Sequence, residues 1–433
     1  MYPWSSSTPA ACPKPSPSPT NSGTGNPTNS PFGTKGDASE RSEIAGVCPG
    51  GGGRVAPAVQ GKCRRQRGRV IPIIPPRIPS IPIQTMQPQT ILDAIDELPR
   101  IQLARKNTPF EEMPRLRAAI AESMDADIEA VPQLFIKRED TTGFAFGGNK
   151  ARHMEFLFAH FIERGIDTIV NINHYDSNNA RFVAASCART GMKYHWVAHD
   201  MVDAPVAGNM LIAHLAGANI HRVPDQPTAR SLAEQINAEE TRNGRNSTVL
   251  SHNPFYDIAG MIGFLETGSE LDRQTQEAGL ADDPLHMWGL CGRSIGGIRL
   301  YARNTGKPWK ATAVAQQLEF PKTYEGIYLD RSARVAHLLG LDTALDPGDI
   351  TTIAGYTGTY GYTTEGAIAA IHLVASTEGI MLDPNYTGKS MSGLIGEVKS
   401  GNVDPEVPVV FIHTGGLPQT FAFADELWNW QPH

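Results

Sequence analysis

The sequence predicts an α/β fold in which parallel strands are covered by helices on both faces. Two observations predict it. From residue 86 onward, short apolar runs alternate with amphipathic stretches, as strands joined by helical crossovers do. A chain of 433 residues with 40% hydrophobic content also holds enough apolar material for one large or two ordinary domains.

Residues 1–85 stand apart from this pattern. They are rich in Pro, Ser, Gly, Thr and Asn, as in "STPAACPKPSPSPTNSGTGNPTNS", and turn basic at "GKCRRQRGR". Such a segment buries too little apolar surface to offset its ordering entropy, so a disordered tail is expected. Its Arg-rich, acid-poor character leaves mitochondrial targeting open, although recurrent proline prevents an amphipathic helix. Met86 directly precedes the first helical pattern, "TILDAIDELPRI". Initiation at Met1 and at Met86 therefore both stay open.

The elements then follow in order. "FAFGGNKARHMEFL" places a glycine turn, Gly147-Gly148, before a helix over 152–164 patterned on Met154, Leu157, Phe158 and Phe161. Lys150 falls near its first turn, aimed by the glycines. Strands are expected at "DTIVNI", "YHWVAHD", "NIHRV", "TVLSHN", "LHMWGLC", "KATAVA" and "VPVVFIHT". Further helices are expected over 179–190, 208–217, 228–242, 258–279, 322–339, 364–376 and 389–399. Ligands in such folds bind at the carboxyl ends of strands, where loops meet helix N-termini.

Composition narrows the partners. A net charge of −7 from 45 acidic and 38 basic residues argues against nucleic acid, whose binding rests on clustered cations. No apolar window approaches the roughly 18 residues needed to span a bilayer. Cys12, Cys48, Cys63, Cys187 and Cys291 lack the paired spacing of a zinc site or a disulfide framework, which points to a reduced, cytoplasmic setting and no metal. A soluble protein acting on a small molecule is the expectation.

Several strand-to-helix loops could carry chemistry. "NHYDSNNARF" offers Ser177, Asn178 and Asn179 at a helix start, where backbone N–H groups favour a carboxylate, although a Ser/Asn cap taken by itself is more often an ordinary structural N-cap. "LCGRSIGGIRL" sets Gly292, Arg293, Ser294 and Gly296 in a turn suited to a phosphate, but it matches neither GxGxxG nor the P-loop. "HTGG" brings Thr414 to a strand end. "GTYGYTTEGAIAA" and "LDPNYTGKSMSGL" supply Tyr360, Tyr386 and Thr387 beside glycines, and phenols near a lysine are candidates for proton transfer. No HExxH and no GxSxG elbow occurs, which disfavours zinc-protease and serine-hydrolase readings.

Four blocks, "KREDTTGFAFGGNKARHMEFL", "DSNNARFVAASCARTGM", "YGYTTEGAIAAIHLVASTEGIMLDPNYTGKSMSGLIGEVKSG" and "VVFIHTGGLPQTFAF", recur in the order seen in a known family. Over roughly residues 100–425 the chain resembles the 1-aminocyclopropane-1-carboxylate deaminases and D-cysteine desulfhydrases, pyridoxal-phosphate enzymes of the tryptophan-synthase-β-like fold, fold type II. The resemblance implies two α/β domains with the cofactor between them: a larger one from 86–152 and 275–425, and a smaller one from 153–274. It implies that Lys150 forms the Schiff base with pyridoxal 5'-phosphate, a role an amine beside a glycine turn can fill. It further implies that Ser177 lies near the substrate carboxylate and Asn178 at the ring hydroxyl, with Asn179 beside them. Tyr360 and Tyr386 match tyrosines of substrate binding and proton movement. Gly292, Arg293, Ser294 and Gly296 would hold the phosphate, and a homodimer would be the assembly.

Two positions bear on the reaction. The cyclopropane deaminases carry Glu where this chain has Thr387 and Leu where it has Thr414, whereas the desulfhydrases carry small hydroxyl residues at both. A neutral hydroxyl stabilises a protonated pyridine less than a carboxylate does, which suits loss of a good β-leaving group. The sequence therefore points to α,β-elimination from a β-substituted amino acid, D-cysteine first. The alternatives are cyclopropane-carboxylate deamination, another elimination or β-replacement on the same fold, and a non-catalytic pyridoxal-phosphate binder. The chain also departs from the family. "CGRSIGG" replaces a GSGGT-like phosphate loop, His153 replaces a basic residue three after the lysine, and "SHNPFYDIAG" replaces a smaller glycine-rich loop.

Overall fold

Two sheets organise the chain, each covered by helices. The computed structural model describes residues 85–431 apart from 201, 202, 204 and 317–320. The expected tail at 1–85 lies outside these residues, except for Thr85.

The first sheet has six strands in the order β1 (Phe110–Glu112), β2 (Leu134–Lys137), β10 (Val409–Ile412), β7 (Leu285–Leu290), β8 (Trp309–Val314) and β9 (Thr351–Ile353). The second has four, in the order β5 (Asn219–Arg222), β4 (Lys193–His199), β3 (Thr168–His174) and β6 (Ser247–Val249). All pairings are parallel except β1 with β2. The fold is therefore the expected α/β arrangement, with one antiparallel edge.

Among the described residues, eleven helices have eight residues or more. They are α1 (Pro88–Asp96), α2 (Pro114–Ser123), α3 (Lys150–Glu163), α4 (Asn178–Thr190), α5 (Gly208–Leu215), α6 (Gln226–Arg242), α7 (Pro254–Glu277), α8 (Arg293–Thr305), α9 (Pro321–Leu339), α10 (Glu365–Glu378) and α11 (Thr387–Lys399). Among the described residues none is long and apolar enough to cross a membrane, and no group of His, Cys, Asp and Glu could hold a metal ion.

Three departures from the sequence reading have local causes. "TVLSHN" is strand only to Val249, because the chain turns through Leu250–His252 to reach Asn253, whose side chain caps α7 ahead of Pro254. α7 consequently starts earlier than expected, with proline at its first position, where the missing N–H costs nothing. β1, β2 and β9 span only three or four residues each, too few to show a period.

The helix bearing the lysine is fixed from below by buried charge. Arg152 on α3 pairs with Glu139 and with Glu270 on α7, at 2.7 and 2.8 Å. Lys137 on β2 donates to Glu270 at 2.9 Å. Lys106 bridges Glu155 and Glu266, both at 2.6 Å. Each charge has a partner of opposite sign, so the network orients α3 without leaving an unpaired ion in the core. α7 and α8 pack with their backbones close together: a Cβ at Gly297 would lie 2.5 Å from the Met261 carbonyl oxygen, and one at Gly268 would lie 2.6 Å from Tyr301.

Candidate active site

The turn that precedes Lys150 is tightly determined. Gly147 has a φ of +75°, and a Cβ there would sit 1.8 Å from the Asp140 carbonyl oxygen. Ala145 and Phe146 also adopt left-handed φ values of +50° and +67°, rare for residues with side chains. Thr142 holds the turn in place, its hydroxyl accepting from Gly148 N at 2.8 Å and donating to Gly148 O at 2.9 Å. Asn149 N then donates to the Thr414 carbonyl at 2.9 Å. A Cβ at Gly415 would meet Gly148 Cα at 2.6 Å. The two loops thus touch backbone to backbone, and α3 begins at Lys150 with its amine facing a cavity.

That cavity, of about 260 Å³, is walled by the starts of α3, α4 and α8, by α9 and by the end of β10. Lys150, Asn178, Gly292, Arg293, Ser294, Tyr386 and Thr414 all line it. Asn149 links two of these elements: its amide donates to Ser294 Oγ at 2.9 Å, and its oxygen lies 3.5 Å from Lys150 Nζ. Nζ also lies 5.8 Å from the centre of the Tyr386 ring.

The electrostatics favour a reactive amine. Burial, reinforced by the neighbouring Arg293 and Arg181 charges, lowers the Lys150 pKa to about 8. At pH 7 about one molecule in ten then carries a neutral amine, against about one in three thousand at the ordinary value. Arg181 is itself buried and pushed down to about 9. It donates to Asn178 Oδ1 at 3.2 Å and toward the Gly147 carbonyl, coupling α4 to the lysine turn. Gln419 accepts from Asn178 Nδ2 at 3.2 Å, so both ends of the Asn178 amide are held.

Other sequence-derived positions lie elsewhere. Ser177 is the N-cap of α4, its hydroxyl accepting from Asn179 N at 3.2 Å. Ser177 and Tyr360 line a second, adjoining cavity that shares Gln316 with the first. Tyr360 remains connected to the lysine side through a hydrogen bond between its hydroxyl and that of Tyr386. Burial raises the pKa of both phenols, and most strongly that of Tyr386, so both stay protonated at neutral pH. Asn179 lines neither cavity; its oxygen accepts from Asn171 at 3.2 Å, while its buried Nδ2 has no partner.

Two further of the expected residues do not line the cavity. Gly296 packs against α7 and α9: a Cβ there would meet Met261 Cε at 2.8 Å and Tyr328 at 3.2 Å, so its small size serves helix packing. Thr387 also stands behind the cavity wall. Its hydroxyl donates to the buried Asp383 carboxylate at 2.7 Å and accepts from Asp383 N at 2.8 Å. Asp383, which also accepts from the Tyr386 and Thr387 N–H groups, is a site residue that sequence reading missed. So are Gln316 and Arg331. Only Asp383 had a sequence signal, its place in the "LDPNYTGK" block.

The donor set suits a phosphorylated aldehyde. It combines a deprotonatable lysine, two guanidiniums and the N-terminus of a thirteen-residue helix on one small cavity.

Comparison with known proteins agrees. A family model described as pyridoxal-phosphate dependent enzyme matches residues 101–415. A 1-aminocyclopropane-1-carboxylate deaminase of Burkholderia multivorans (strain ATCC 17616 / 249) is 31% identical over 341 residues, covering 76% of this chain and 98% of that protein. One from Burkholderia ambifaria (strain MC40-6) is 30% identical over 346 residues, covering 77% and 99%. A crystal structure described as an ACC deaminase homologue superposes with a TM-score of 0.66 at 25% identity, covering 79% of this chain and 99% of its own.

Proposed function

Because the chain belongs to the pyridoxal-phosphate dependent enzymes, we propose that it is a deaminating lyase that eliminates a β-substituent from a small amino acid, with D-cysteine as lead substrate. With one water consumed, pyruvate, ammonia and sulfide would be the products. One observation carries this reading: among the described residues, none that lines the cavity is acidic. Asp383, whose charge acts on Lys150, is engaged by Thr387 behind the wall. A site without a carboxylate against the ring nitrogen stabilises less negative charge on the ring, which suits a substrate with a good leaving group.

Lys150 would hold the cofactor's aldehyde carbon, Asn178 its ring hydroxyl, and Arg293 with Ser294 its phosphate. When bound, the cofactor accepts the electron pair released at the substrate Cα. The Lys150 amine, near its pKa at neutral pH, takes the Cα proton as the β-substituent departs. The N-terminus of α4 around Ser177 orients the substrate carboxylate. The protonated Tyr386 hydroxyl, backed by Tyr360, donates to the departing sulfur. The expected division into 86–152 with 275–425 and 153–274, a homodimer and a cytoplasmic setting belong to the same reading.

The test is product release from a panel of D- and L-amino acids together with 1-aminocyclopropane-1-carboxylate. Sulfide and pyruvate from D-cysteine support the reading, and 2-oxobutyrate from the cyclopropane substrate supports the second one, which the relatives' names favour. No release from any member supports a non-catalytic binder. The double variant Thr387→Glu/Thr414→Leu is expected to shift preference toward the cyclopropane substrate. It should also lower the melting temperature, since the glutamate introduced in place of Thr387 would set a second carboxylate beside buried Asp383. Unchanged preference counts against the hydroxyl explanation.

The amine makes its own prediction. The rate at which cofactor-free protein captures pyridoxal phosphate should rise about tenfold per pH unit up to about 8 and flatten above it. Stopped-flow absorbance reads this directly, and a rise continuing to pH 10 would indicate an ordinary lysine.

A further inference from the structure

The phosphate end of the cavity is not built from the residues its sequence suggests. His153 faces it one turn after Lys150, but its Nε2 is held by the Tyr256 carbonyl at 2.9 Å. Burial and the neighbouring Arg293 charge keep this imidazole neutral. The histidine brings no positive charge. Ile295 is buried in the core, and Gly296 packs on α7.

What converges instead is a pair of guanidiniums from different helices. Arg293, at the start of α8, donates from Nε to the Asp257 carbonyl at 2.9 Å and pairs with the Asp257 carboxylate at 3.2 Å. Arg331, from the middle of α9, reaches the same carboxylate oxygen at 3.0 Å. Both line the cavity. One carboxylate oxygen is therefore shared by two cations, and positive charge remains in excess beside the N–H groups of the first turn of α8, which have no acceptor within the helix. Room for this is provided by Gly260: a Cβ there would lie 2.6 Å from Arg293 Cδ and 3.3 Å from the His153 ring. Tyr256 supports the cluster from the side, its ring centre 4.7 Å from the Arg293 guanidinium carbon.

We propose that Arg331, reaching in from α9, joins Arg293 in binding the cofactor's phosphate, supplying the charge that His153 does not. This rests on the cofactor reading above. Asp257 then acts as a stand-in anion that keeps the two guanidiniums together and is partly displaced when the phosphate arrives.

The experiment compares the affinity of cofactor-free protein for pyridoxal phosphate and for pyridoxal, which lacks the phosphate. Arg331→Gln is expected to weaken pyridoxal phosphate roughly 10- to 100-fold while leaving pyridoxal unchanged, with Arg331→Lys intermediate. Asp257→Asn, which removes the competing charge, should strengthen the preference for the phosphorylated compound. If Arg331 served only to tie α9 to α7, the Asp257→Asn and Arg331→Gln variants would instead shift binding of both compounds in the same direction. Arg331→Gln protein that keeps the wild-type preference would overturn the proposal. Wild-type protein that takes up neither compound would overturn the cofactor reading, and the proposal with it.

Discussion

Lys150→Ala should lose both the visible absorption band of bound pyridoxal phosphate and turnover, the latter by on the order of 10³-fold or more. The size of the effect follows from two duties falling on one atom. Nζ is the amine on the cavity wall whose pKa is drawn down to about 8, and under the proposed function it also takes the Cα proton. The alanine variant should fold at least as stably as the cofactor-free parent, since it removes an amine that burial and two arginines make costly to protonate. Below pH 8 that cost is fully present in the parent, and it fades toward pH 10.5 as the unfolded lysine also loses its proton. Thermal melts of both proteins across this range, read beside their spectra, separate lost chemistry from lost folding. A variant that retains the band would remove the lysine from its assigned role.

Gly147→Ala is expected to be the most damaging single-methyl change in the described chain. At a φ of +75° an alanine pays about 1–2 kcal/mol for its backbone alone. Its Cβ would also overlap the Asp140 carbonyl at 1.8 Å, and neither partner is a side chain that can swing away. A total loss of about 4 kcal/mol or more follows. Chemical denaturation measures the loss, and cofactor binding should weaken with it, because relief of the clash rotates the start of α3. Gly191, where nothing lies within 4 Å of an added Cβ, is the control: the same substitution there should cost only the backbone strain.

The long, periodic parts of this architecture could be read from sequence, and so could several of the cavity-lining residues in its four characteristic blocks. Lys150 was legible because a glycine turn and an amphipathic helix bracket it, and Asn178 because it opens a helix after a strand. What could not be read was whatever depended on contact between distant segments. Gly296 follows a strand within a glycine-containing turn, as a phosphate loop would, and only the approach of α7 shows that its missing side chain makes room for Met261. Thr387 looked like a cavity residue until Asp383 was seen to hold its hydroxyl. Arg331 sits in the middle of a helix with Asp330 and Arg334 around it, where sequence offers no means of telling a solvated arginine from one that turns inward. Short strands such as "LFIK" failed for a different reason: the four residues of this one are all buried, Lys137 included, and so offer neither the length nor the alternation on which strand reading depends.

The backbone contact between Gly148 and Gly415 sets a limit on how this protein can be remodelled. Thr414, one of the two positions proposed to bear on substrate choice, and Lys150, the proposed point of attachment, are joined through two residues without side chains and one main-chain hydrogen bond. There is no flexible group between them to absorb a change. A laboratory selection for new substrates that begins at the 414 loop will therefore move the lysine as well. Its successful lineages should carry second-site changes in the 142–149 turn, far away in the gene but adjacent in the molecule.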